Sequence, residues 1–226
     1  MEILTKINFG CRITLLFTMI CIGAVQITLA QESRPVVPTP VEFMAGHERL
    51  YFQMVVKKKF SPESKFGFLS VSALSASYDN EMDELDIAVP ILFNYNFYKD
   101  FSFVSGLSVN NAVGISPVVG AQHSYSNKEW VAVSILNYFL NGTNKVEFFG
   151  IYEYKPQLGP KLNLYTRLQL LYIYGLNADQ HTRSYLQLRV GLKQNALSYG
   201  IGANLDQYGP EKQFKPNYGI FVGWAF

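Results

Sequence analysis

Residues 122–127 read QHSYSN and hold the residue types of acyl-transfer chemistry, an imidazole at His123 beside hydroxyls at Ser124 and Ser126. A serine becomes a nucleophile only when a base lies within hydrogen-bond reach to take its proton. On an extended strand, however, successive side chains point to opposite faces. His123 then shares its face with Tyr125, while Ser124 and Ser126 point the other way. The geometry fails for a nucleophile and its base, and the segment reads as the polar end of a strand. His47 and His181 fall at a strand end and in a loop. No pair of histidines or carboxylates has metal-ligand spacing, so neither a metal nor a cofactor is expected.

A second set of residues carries charge. Glu147, Glu153, Arg167, Arg189, Lys193 and Asp206 fall on the polar faces of successive alternating segments. Counting outward from the turn centres puts Glu147 opposite Gln169, Gln169 opposite Arg189, and Arg189 opposite Gly202, where a missing side chain leaves room for a guanidinium. Two uses compete. The charges could form a paired network that fills an enclosed interior, since charges removed from bulk water need partners. They could instead line a constriction and set ion selectivity. Small barrels are commonly filled by side chains, which favours the network.

These charges are positioned by strands. In 85–97 the odd positions are Leu, Ile, Val, Ile, Phe, Tyr and Phe, and the even ones are Asp86, Ala88, Pro90, Leu92, Asn94 and Asn96. In 185–193, Leu186, Leu188, Val190 and Leu192 oppose Tyr185, Gln187, Arg189, Gly191 and Lys193. The same period of two runs through 197–206, 50–60, 101–110, 146–155 and 162–174, and less cleanly through 66–78 and 130–140. Residues 117–126 and 41–48 are weaker strands. Short connections such as YKD (98–100), NGTN (141–144) and QNA (194–196) join them, so consecutive strands form an antiparallel meander. The NGT sequence at 141–143 reads as a hairpin turn. The chain is all-β.

The composition limits the alternatives. Charged residues make up 16% of the 226-residue chain, and the net charge is +2 with the basic residues dispersed, which gives nucleic-acid binding no support. Lys6 and Arg12 precede the apolar run ITLLFTMICIGAV, and a small residue stands at Ala30. That pattern predicts a secretory signal peptide over 1–30, cut near Ala30. Both cysteines, Cys11 and Cys21, lie inside it, so the mature chain has no thiol chemistry. Residues 31–40, with Pro35, Pro38 and Pro40, read as an extended periplasmic lead-in, and 41–226 as a single barrel domain.

Two features indicate which face meets lipid. The polar face is rich in Gly, Ser and Asn, which suits a confined interior better than a water-facing sheet. The apolar face gathers Tyr95, Phe97, Tyr138, Phe139, Tyr152, Tyr154, Tyr172, Tyr174, Tyr218 and Trp224 near strand ends, as aromatic girdles do at membrane interfaces. Residues 217–226, NYGIFVGWAF, alternate Tyr218, Ile220, Val222, Trp224 and Phe226 with mostly small residues over the length of a crossing strand. This stretch resembles the C-terminal strand of Gram-negative outer-membrane proteins, and the Tyr-, Phe- and Asn-rich composition looks like small barrels of Bacteroidota.

The resemblance implies a closed antiparallel up-and-down transmembrane β-barrel in the outer membrane, with outer-membrane lipid and the barrel assembly machinery as partners. That machinery would read the 217–226 strand. Both termini in the periplasm require an even strand number: twelve with 41–48 and 117–126 counted, the preferred number, and ten without them. The expected role is non-enzymatic: a narrow pore for an unknown small solute, or a structural barrel with a salt-bridged lumen. Two alternatives are an outer-membrane lipid-modifying hydrolase using His123 and a secreted soluble barrel binding an apolar ligand. His123 resembles in part the His/Ser pairs of lipid-A deacylases and outer-membrane phospholipases. It lacks their His-Xaa-Ser-Asn pattern, and no Ser-Arg-Ser block follows.

Overall fold

A computed structural model describes residues 38–79, 85–111, 114–142 and 144–226. Residues 1–30, expected to be a signal peptide and holding both cysteines, and residues 31–37 of the expected lead-in lie outside the described residues. Thirteen strands are described: β1 (Pro40–Gly46), β2 (Arg49–Lys59), β3 (Phe66–Ser77), β4 (Asp86–Tyr98), β5 (Phe101–Asn110), β6 (Gly114–Ser126), β7 (Trp130–Phe139), β8 (Lys145–Tyr154), β9 (Gln157–Gly159), β10 (Leu162–Gly175), β11 (Gln180–Gln194), β12 (Leu197–Tyr208) and β13 (Gln213–Ala225).

Each long strand pairs antiparallel with its neighbours in sequence, and β13 returns to β1 from Pro40↔Ala225 to Gly46↔Gly219. The three-residue β9 pairs only with β10 and stands outside the wall. The wall is therefore a closed barrel of twelve strands, and the ten-strand alternative falls. Both weak segments belong to it: β1 bonds to β13 and β2, and β6 bonds to β5 and β7. Thr39 and Phe226 exchange backbone hydrogen bonds of 3.0 and 3.2 Å, so the two ends of the described barrel meet at one rim. That rim also carries the turns at 60–65, 99–100, 127–129, 155–161 and 195–196. The opposite rim carries 47–48, 176–179 and 209–212, together with the last residues of β3, β5 and β7.

Alternation fixes the faces. Ile115, Ile201 and Ile220 point outward with about two-thirds of their surface uncovered (68%, 67% and 67%). Leu136, Val190 and Val222 lie in the same belt. Aromatic side chains border it at both rims. Phe97 stacks on Phe103 and Trp130 on Tyr154, each with ring centres 4.4 Å apart, near the chain-end rim. Tyr78, Tyr138, Tyr172, Phe214 and Tyr218 stand near the other rim.

The interior corrects one expectation. The inward face is polar only on one side of the barrel. On β3 to β8 it is largely apolar, with Leu69, Val71, Leu92, Val104, Val118, Val133, Ile135, Phe139, Phe149 and Ile151 buried as one cluster; Phe139, expected in the outward girdle, turns inward because its neighbour Tyr138 takes the outward position. A filled interior needs volume and close packing, and aliphatic side chains provide both without asking for partners. The inner wall is thus divided into an apolar half and a polar half.

Candidate functional site in the barrel lumen

The polar half lies on β10 to β13, β1 and β2. Near mid-barrel, Glu42 on β1 accepts from Arg167 Nη2 at 2.7 Å and from Arg189 Nε at 2.9 Å, both on the same oxygen, Oε1. Arg189 also donates through Nη1 to Asn204 Oδ1 at 2.9 Å and to the Leu188 carbonyl at 2.8 Å. Its side chain is fully enclosed, with 0% exposure. The rings of Tyr51 and Phe221 stand 5.6 and 5.9 Å from its guanidinium carbon, close enough for cation–π attraction in a desolvated setting. Two guanidiniums thus share one carboxylate. Arg167 Nε and Arg189 Nη2 have no hydrogen-bond partner among the described residues.

Above this cluster the wall is bridged. Gln53 Nε2 donates to Gln169 Oε1 at 2.9 Å. β2 and β10 stand five places apart in the twelve-strand ring, so this bond crosses the lumen rather than joining neighbours. Tyr51 Oη donates to Gln187 Oε1 at 3.0 Å beside it. Toward the rim opposite the chain ends, Arg183 on β11 binds Asp86 on β4, and Tyr208 Oη donates to the same carboxylate at 3.2 Å. Arg49 Nη2 lies 2.5 Å from Asp206 Oδ2, and Arg183 lies 3.6 Å from Asp206 Oδ1. Between these rim pairs and the glutamine bridge is a cavity of about 510 Å³.

The structure assembles the expected charges differently from the turn-centre count. Arg189 does face Gly202, and a Cβ at that glycine would come within 2.9 Å of Arg189 Cδ. Its other cross-strand neighbour is Arg167, however, and Gln169 faces Gln187. Glu147 is opposite Ile173 and Asn137, not Gln169, and it accepts from Asn137 Nδ2 at 3.0 Å. Glu153 lies opposite Arg167 but pairs with Lys155 at 2.7 Å and accepts from Tyr165 Oη at 3.2 Å. Lys193 sits between Asn163 and Ser198, with no ion pair within 4.0 Å among the described residues.

The central anion, Glu42, was missed, as were Arg49, Asp86 and Arg183. Asp86 was legible as an inward position of an alternating strand; Glu42 lies in one of the two weaker strands, and Arg49 and Arg183 lie just outside the alternating segments 50–60 and 185–193.

The histidines stay apart from this interior. His123 packs its ring 4.8 Å from Phe101, while Ser124 accepts from Gln122 Nε2 at 2.7 Å on the other face. His181 belongs to β11 rather than to a loop, and it is buried with Nδ1 2.6 Å from the Gly209 carbonyl and Nε2 3.0 Å from Ser184 Oγ. His47 accepts from the Tyr218 backbone N–H at 3.0 Å. Tyr218, Ile220, Val222 and Trp224 point outward, and Phe226 is 73% exposed.

No protein-family model and no curated protein sequence matches the chain. Among solved structures, the NanC porin aligns over 84% of this chain and 100% of its own, with a TM-score of 0.52 and 10% identity. The fold is a porin-like closed β-barrel. The KdgM porin aligns over 84% and 99% at a TM-score of 0.49 and 11% identity. LpxR from Salmonella typhimurium aligns over 84% and 100% at 0.42 and 5%. At such identities the likeness is one of fold.

Proposed function

We propose that this chain is a non-enzymatic outer-membrane β-barrel whose lumen is closed at mid-height by its own side chains. It is a structural barrel with a salt-bridged interior rather than an open diffusion pore. The observation that carries this reading is the fully enclosed Arg189 side chain, held between Glu42, Asn204 and two aromatic rings. A water-filled channel beside it would leave the guanidinium wetted. The outward apolar belt with aromatic borders supports a lipid setting, because a soluble barrel would expose that belt to water. The 217–226 strand, with Tyr218, Ile220, Val222, Trp224 and Phe226 in a row, is the segment offered to the assembly machinery. An even strand number brings both chain ends to one rim, and this supports a periplasmic side for that rim.

Purified protein in a planar bilayer tests the closure. The wild type is expected to show no steady single-channel current, and Glu42→Ala is expected to open a leak. A wild type that conducts steadily in simple salt would replace this reading with the narrow solute pore. A lipase activity of the purified barrel that disappears in His123→Ala would establish the hydrolase instead. The outward position of His123, away from both serines, argues against that outcome.

A further inference from the structure

Proline has no N–H to give to a ladder, so within sheets it is confined to edge strands, strand starts and bulges. Pro90 stands elsewhere, inside β4 and between β3 and β5 in a closed wall. The N–H and C=O of one strand residue point to the same neighbour. Pairing with β5 runs unbroken from Ala88↔Asn110 through Pro90↔Ser108 to Asn96↔Ser102, so the ring nitrogen lies on the β3 side. There the ladder stops. Phe66 to Leu69 pair with Tyr95 to Leu92, and Ala73 to Ser75 pair with Ala88 to Asp86. Ser70, Val71 and Ser72, near the middle of β3, have no paired residue on β4. The irregularities at Ile173/Tyr174 and Asn96/Tyr98 skip one residue each, whereas three consecutive pairs are lost here.

The gap joins two apolar spaces. On its outer side Ser70 and Ser72 face the lipid belt between Met54 and Val56 of β2, with their hydroxyls 3.0 Å apart and bonded to each other. On its inner side Val71 and Pro90 both line the cavity of about 510 Å³, beside Leu69, Ala73, Ala88 and Leu92. Irregular backbone at membrane depth is tolerated where it lines a cavity or is covered by protein. The residues bordering the gap, Ser70, Ser72, Ala73 and Ala88, are small, so little side-chain bulk separates the cavity from the belt. Along the barrel axis the cavity is restricted, by the Gln53–Gln169 bridge on one side and the Arg183–Asp86 pair on the other. Its lining holds both signs of charge, so charge alone selects no ligand. Its apolar wall continues through Ile135 and Phe149, and its volume is in the range of small-molecule pockets.

We propose that the wall opens laterally between β3 and β4 at Pro90, and that the cavity binds a single-chain lipid amphipath entering from the membrane by this route. The acyl chain packs against Val71, Leu92, Ile135 and Phe149, and the head group turns toward the mixed charges of the rim pairs. The proposal rests on the lipid-facing belt of the reading above, and it adds a ligand to a barrel whose axial path is blocked.

Photolabelling tests it on the full barrel refolded into phosphatidylcholine vesicles that contain palmitate with a diazirine at the chain end. Mass spectrometry is expected to find labels on the inward Val71, Leu92 and Phe149, suppressed by excess unlabelled palmitate. Labels on the outward Ile201 and Ile220 should persist under the same excess. Register places Ser70 and Ile91 opposite each other across the gap, and the expected mature chain brings no other thiol. Oxidation of the pair Ser70→Cys and Ile91→Cys should lower inward labelling at least about fivefold, with recovery on reduction, and Pro90→Val should lower it about fivefold, the weight of one net backbone hydrogen bond. Heat-modifiable gel mobility selects folded variants, and if the cysteine pair does not fold, Pro90→Val decides the entrance. Labels on outward residues alone would overturn the site. Inward labelling at the wild-type level in either folded variant would overturn the lateral entrance. Loss of the outward labels as well would remove the lipid setting, and the proposal with it.

Discussion

Arg183 and Asp86 sit on opposite walls of the barrel, six strands apart in either direction around the ring, yet their side chains are in direct contact. Arg183 Nη1 donates to Asp86 Oδ1 at 3.0 Å, and Nη2 donates to the other oxygen. Such a contact requires the two walls to approach each other, so the barrel is pinched at this level. The two side chains keep 21% and 23% of their surface. A partly wetted bidentate pair of this kind is expected to contribute about 1–3 kcal/mol. A double-mutant cycle of Arg183→Ala and Asp86→Ala, read by denaturant unfolding in lipid bilayers, should show coupling above about 1 kcal/mol. Additivity within about 0.5 kcal/mol would mean that the two walls do not communicate.

The Glu42 cluster makes an asymmetric prediction. Glu42→Ala leaves Arg167 and Arg189 enclosed together without their carboxylate, a change expected to cost about 3–5 kcal/mol. Arg189→Ala leaves Glu42 on Arg167 and should cost less. Adding Arg189→Ala to Glu42→Ala should then cost much less than Arg189→Ala alone. Glu147→Ala shares no partner with Arg189, so those two effects should add. Unfolding free energies of the five variants check all of this, and a larger loss in Arg189→Ala than in Glu42→Ala would place the critical charge elsewhere.

The two faces of β11 can be compared at adjacent residues. Leu188 is 38% exposed on the outward face, and Gln187 is 3% exposed on the inward one. An arginine at a lipid-facing midplane position costs about 2–4 kcal/mol. Gln187→Ala removes the acceptor of the Tyr51 hydroxyl, an effect of about 1 kcal/mol. Leu188→Arg should therefore be the more damaging change when the barrel refolds into vesicles. Normal refolding of Leu188→Arg would reverse the assignment of lipid and lumen.

How far the site could be read in advance depended on parity. Arg189 was read opposite Gly202 because QNA at 194–196 is a tight turn with a definite centre, and the structure gives that pairing. The connection between β8 and β10 is different. It contains β9, which folds back onto β10 and moves the centre of the hairpin, while β10 and β11 carry a register irregularity at Ile173/Tyr174. Glu147 consequently slid from Gln169 to Ile173. The partner of Glu147 moved by four residues, from Gln169 to Ile173, and that of Gln169 by two, from Arg189 to Gln187, so Glu147, Gln169 and Arg189 kept their face although their partners changed.

Glu42 was invisible for another reason. Its strand is seven residues long, and its two hydrogen-bonded guanidiniums come from residues 125 and 147 positions away in sequence. Alternation reports the face of a residue, not its cross-lumen partner. The apolar half of the interior escaped for a related reason: on β8, Phe148 points outward and Phe149 inward, and the residue type does not distinguish them.

Strand closeness provides the last prediction. Gly219 on β13 lies between Gly46 on β1 and Gly202 on β12. A Cβ at Gly219 would stand 1.9 Å from the Ala45 carbonyl oxygen, a backbone atom of the strand that closes the barrel. At Gly202 the added atom would instead meet Arg189 Cδ at 2.9 Å, the far part of a side chain. The first clash can be relieved only by moving β1 or β13, whereas the second needs a small shift of the guanidinium arm. Overpacking of the first kind typically costs about 1–3 kcal/mol or more. Gly219→Ala should therefore lower the folded fraction on refolding into vesicles, and Gly202→Ala should fold but loosen Arg189 from Glu42. Comparable, near-wild-type stability for both variants would show that β1 and β13 do not approach each other as closely as the barrel seam requires.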